Sequence, residues 1–96
     1  MSPSKRKRSE QRQAVSDANE NALLLEPAST FDEAIVGVSM GASPVAIYDY
    51  ALLVEALINH DQLTEEEAVD HIEYNILGSI GAENYPIVIR QIEDIP

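Results

Sequence analysis

Glu67 and His71 stand four residues apart, the spacing that puts two side chains on one face of a helix, where a pair of ligands can begin a metal site. A third ligand would have to come from His60, Asp61 or a second chain, and the chain holds no His-Glu-x-x-His pattern. An ordinary surface pair at i, i+4 accounts for both residues without a metal. Asp49 lies between Tyr48 and Tyr50, and a half-buried carboxyl beside two phenols can move protons. The same Asp stands where a helix starting at Tyr50 needs its N-cap, which explains it without catalysis. Cysteine is absent, so thiol nucleophiles, disulfides and thiolate metal sites are excluded. Gly78-Ser79-Ile80-Gly81 lacks the Lys and the glycine spacing of a phosphate cradle. The expectation is therefore a protein with no catalytic residues, no cofactor and no metal.

Charge is the stronger signal. Lys5, Arg6, Lys7, Arg8 and Arg12 supply five of the six basic residues, and only Arg90 follows them. Beyond residue 12, 16 Asp and Glu residues face that single Arg. A basic head joined to an acidic body should repel nucleic acid and membrane phosphates over most of its surface and attract basic protein surfaces. Glu65, Glu66, Asp70 and Glu73 line one predicted helix, where successive turns separate charges by about 5.4 Å, near the roughly 7 Å between the phosphates of one strand. An acidic face of this kind either imitates nucleic acid or simply keeps a small protein soluble. An ordinary solubilising surface interleaves both signs, whereas this one has almost no Lys. With Asn75, Glu83 and Tyr85 near the same helix end, these residues form the candidate partner-binding patch. Lys5, Arg6, Lys7 and Arg8 are the candidate nucleic-acid or targeting tail; so few charges would hold phosphate weakly and lose it readily in salt.

The elements that must carry these residues follow from the pattern. Residues 1–22 are polar, with no helical or strand periodicity, and 1–27 are expected to be a disordered basic tail and linker. Residues 28–96 form the acidic domain. Glu33 to Met40 and Val45 to Tyr48 read as two strands broken at Gly41-Ala42-Ser43-Pro44. Leu52, Leu53, Ala56 and Leu57 give the apolar face of a helix over Tyr50–Asn59. Thr64-Glu65-Glu66-Glu67 is a capping box that opens a second helix, to about Leu77, with Ala68, Val69, Ile72 and Ile76 inside and Gly78 to end it. Pro86 to Ile89 is a last strand. The expected fold is α+β, a single small domain in the order β-β-α-α-β, with an antiparallel or mixed sheet, two helices and a disordered N-terminal tail. A core this small favours a homodimer. No apolar run is long enough for a spanning helix.

Glu66-Glu67-Ala68-Val69, Glu73-Tyr74-Asn75-Ile76-Leu77-Gly78 and Gly81-Ala82-Glu83-Asn84-Tyr85-Pro86-Ile87, with Tyr48-Asp49-Tyr50 upstream, resemble a pattern of small bacteriophage and prophage proteins. There "EEA", an acidic-aromatic-Asn helix end, "GA" and "GENTP" follow a "YDY" in the same order. The likeness covers about residues 33 to 90; Ser79 stands where Ala is usual, and Tyr85 replaces the Thr before Pro. The resemblance implies a phage-type source and an α+β domain, without a catalytic role. Together with the charge it gives the functional expectation: a non-enzymatic accessory protein in the host cytoplasm that binds a host protein with a basic surface, inhibiting a nucleic-acid-binding or defence complex. The alternative is a virion-associated or assembly protein whose basic tail contacts nucleic acid. Neither reading involves a membrane.

Overall fold

β2 (Ala46–Asp49) is the strand on which the rest is built, and the sequence places it there because three of its four residues can be buried. In the computed structural model, which describes residues 3–95 and side chains from Glu10 onward, Ala46 and Tyr48 are fully enclosed. β1 (Ile35–Val38) pairs with β2 antiparallel, and β3 (Ile87–Ile89) pairs with its other side in parallel, giving a mixed sheet in the order β1-β2-β3. The register slips between Ile35 and Gly37, so Val36 is an extra, exposed residue in a bulge on β1. The β1–β2 connection closes on Ser39, whose amide donates to the Val45 carbonyl and whose hydroxyl accepts from the Val45 amide. The α+β class and the β-β-α-α-β core agree with the sequence pattern.

Asp49 ends β2 and caps the next helix in one residue. Its Oδ2 accepts from the Leu52 amide at 3.0 Å, and α3 (Tyr50–Asp61) follows directly. The chain leaves that helix at Gln62, in left-handed backbone geometry with φ 57°. α4 (Glu65–Asn75) opens on the complete capping box, Thr64 accepting from the Glu67 amide and Glu67 accepting from the Thr64 amide. It ends at Asn75, two residues before the expected limit; Gly78 lies in the 3-10 turn Leu77–Ser79 that follows and does not end the helix. Leu53, Ala56 and Leu57 of α3 and Ala68, Ile72 and Ile76 beyond the capping box are buried. Leu52 is exposed and Val69 half-buried, so only part of each apolar stripe reaches the core. Each enclosed Leu or Ile contributes about 1.5–3 kcal/mol of transfer free energy.

The N-terminal segment corrects the expected tail boundary. α1 runs Pro3–Ala18, and from Glu10 onward this segment is part of the packed domain. Val15 has no exposed surface and joins the core, with Ala22, Leu24 and Leu25 packed beside it. Gln11 Nε2 donates to the Ile35 carbonyl. Asn19 Nδ2 donates to the Pro44 carbonyl and to Asn84 Oδ1. A stripe at 11, 15 and 19, two polar side chains about a buried Val, therefore holds the N-terminal segment against the domain. A tail and linker extending to residue 27 is too long: 10–27 belong to the domain, with a short α2 (Ala28–Phe31) next in the chain. Lys5, Arg6, Lys7 and Arg8 lie outside the described side chains. No helix among the described residues is long and apolar enough to cross a membrane.

Candidate functional site

Arg12 reaches from α1 to Asp32, in the turn that leads into β1. Its Nε and one terminal nitrogen each bond a carboxylate oxygen of Asp32 at 2.8 Å, and the other terminal nitrogen bonds Glu26 at 3.1 Å. Asp32 is buried, so the fork of two parallel N–H donors is what makes its charge tolerable there. The bonds to Asp32 raise the guanidinium pKa further above its ordinary value despite partial burial. Beside this pair, the enclosed Tyr48 hydroxyl accepts from the Leu25 amide at 2.9 Å. The cluster binds residues 12, 25, 26, 32 and 48 into one polar joint, in which both Asp32 oxygens and all three guanidinium nitrogens are bonded. It is structural.

Burial pushes the Tyr48 phenol up to about 12, partly offset by the Leu25 N–H. The unfolded phenol titrates near 10, so above that pH the unfolded state loses its proton first and the native state is disfavoured. The stabilisation is complete below about pH 10 and is lost as pH rises towards 12. Chemical denaturation between about pH 9 and 11 should show the native chain losing about 1 kcal/mol more than Tyr48→Phe does. Equal losses would mean that Tyr48 does not titrate with folding. Tyr48→Phe itself should cost about 1 kcal/mol at neutral pH, because the Leu25 amide loses its acceptor.

The two chemical candidates of the sequence are both occupied locally. Glu67 holds the capping box, and the Thr64 amide lowers its pKa. The Asn75 side chain lies against His71, donating to the His71 carbonyl at 3.2 Å. Among the described residues no three of His, Asp and Glu are placed to share a metal ion. Asp49 is the N-cap expected, with one remaining feature: its Oδ1 is buried and accepts no hydrogen bond.

The expected patch residues divide. Glu65, Glu66, Asp70, Glu73 and Asn75 are all exposed along α4. Glu83 and the half-buried Tyr85 flank Asn84 on a loop that instead receives the N-terminal segment, through Leu23 N to Asn84 O at 2.9 Å. Of the α4 acids, Glu65 and Glu73 border a trough between α4 and β3. Its two ends are cavities of about 350 and 400 Å³ that share Tyr50 and Arg90. Leu77, Val88 and Ile89 complete one end, and Ala51, Val54, Val69 and Asp94 the other. The repeat at 65, 69, 73 and 77 could have suggested this wall, since a four-residue step follows one helix face; the opposing residues from β3 and the C-terminus had no sequence signal. Comparison with protein-family models, with curated proteins and with solved structures finds no match.

Proposed function

We propose that this chain is a non-enzymatic, phage-type accessory protein that binds a basic surface of a host protein in the host cytoplasm, standing in for a nucleic acid. One observation carries the reading: of the 17 Asp and Glu residues only Asp32 and Asp49 are buried, and the other 15 are exposed. Arg12 is consumed by Asp32 and Glu26, so Arg90 alone offsets that field beyond the basic head. Glu65, Glu66, Asp70 and Glu73 supply its regular face. Self-association into a homodimer belongs to the same proposal, because β3 is paired on one side only and exposes Ile87.

The test is retention of host proteins on the immobilised full chain and on one beginning at Glu10. A nucleic-acid-binding protein should be held by both, displaced by added DNA, and released between about 0.1 and 1 M salt as the screening length falls from roughly 10 to 3 Å. Retention indifferent to both salt and DNA would overturn the reading. Recovery of nucleic acid alone, and only by the chain that keeps Lys5 to Arg8, would favour an assembly protein that contacts packaged nucleic acid.

A further inference from the structure

The trough between α4 and β3 differs from the rest of the acidic surface because it has an apolar floor. Glu65, Val69 and Glu73 follow one another at four-residue steps along its helical wall, so two carboxylates about 12 Å apart bracket an apolar position. Asp94 adds a third carboxylate that keeps the lining net acidic around Arg90, which both ends share. The trough lies at the carboxyl ends of the parallel pair β2 and β3.

We infer that this trough seats a cationic, amphipathic segment of the partner protein, with two Lys or Arg side chains meeting Glu65 and Glu73 and an apolar side chain between them over Val69. The inference rests on the reading of the acidic surface as the one that binds a basic partner. The chain's own basic head is the poorer occupant on two counts. Ser4 to Gln13 contains no apolar residue to fill the floor, and α1 packs against β1, at the opposite edge of the sheet from β3.

The test titrates the isotope-labelled full chain with a synthetic helical peptide carrying two Lys about eight positions apart and Leu midway, beside a counterpart with Glu for Lys. The Lys peptide should move the methyl signals of Val54, Val69, Val88 and Ile89, and the Glu peptide should not. Glu65→Lys with Glu73→Lys should weaken binding about tenfold, whereas Glu10→Lys with Glu20→Lys, an equal charge change on the α1 side, should weaken it less than about twofold. Glu65→Gln with Glu73→Gln, which adds no positive charge to the first turn of α4, should weaken it in the same direction. Equal weakening by the two Lys pairs would overturn the trough while leaving the diffuse acidic surface as the binding face. No binding of the Lys peptide at low salt would overturn both readings. Tighter binding by a peptide of residues 1–12 would replace the partner by a second copy of this chain.

Discussion

A chain that begins at Leu23 should fail to hold the native fold, whereas one that begins at Glu10 should keep it. The shorter chain loses Val15, which has no exposed surface in the native core. It also loses Arg12, so the buried Asp32 carboxylate is left without its two 2.8 Å bonds. The bonds from Gln11 to Ile35 and from Asn19 to Pro44 and Asn84 go with them. Emptying the Val15 site costs about 1–3 kcal/mol by loss of apolar burial, and an unpaired buried charge costs about 3–5 kcal/mol. A domain this small has a total stability of the order of 5–10 kcal/mol. Thermal unfolding followed by circular dichroism should therefore show a cooperative transition for the chain from Glu10, and a much lower or absent one for the chain from Leu23. Matching transitions would mean that α1 is an appendage. The result also governs any test of the basic head, which has to be removed without removing Arg12.

The elements from β1 to β3 were legible because their signals are local. Asp49 before Tyr50 and Thr64 before three Glu mark helix starts by side-chain chemistry that acts within one turn, and both caps are present. Gly78 misled by the same reasoning: the helix stops at Asn75 and passes into a 3-10 turn through Leu77, so the glycine has no helix end to cap. The N-terminal segment was illegible for a different reason. Its contact stripe is Gln11, Val15 and Asn19, and two of the three attach through hydrogen bonds to carbonyls far along the chain. Hydrophobic periodicity registers one Val there, and composition registers a polar tail. The candidate surface divides in the same way. The acids of α4 could be placed on one helix from sequence, but the partition of Glu65 and Glu73 into the trough depends on where β3 and Arg90 come to lie, which is a matter of tertiary packing.

Replacing Arg12 by Met should destabilise the domain by about 2–4 kcal/mol, and combining it with Asp32→Leu should recover most of that loss. The asymmetry follows from burial. Asp32 is almost wholly enclosed while Arg12 keeps about a quarter of its side chain in solvent, with 4% and 27% of their side chains exposed. Removing Arg12 leaves a charge with no compensating donor, which the interior tolerates badly; removing both leaves an apolar contact of similar volume. Partial access of water to the Arg12 side holds the single-site cost towards the lower part of the range found for buried pairs. Met retains most of the aliphatic stem, so the single substitution reports the loss of charge and hydrogen bonds more than the loss of volume. Urea denaturation of the four members of the cycle gives the coupling directly. A coupling energy of about 2 kcal/mol or more would establish the pair as the joint between α1 and the sheet. Additive losses would mean that Val15 and the carbonyl bonds of Gln11 and Asn19 hold α1 by themselves, and that the Arg12 fork only neutralises a carboxylate the fold has buried for another reason.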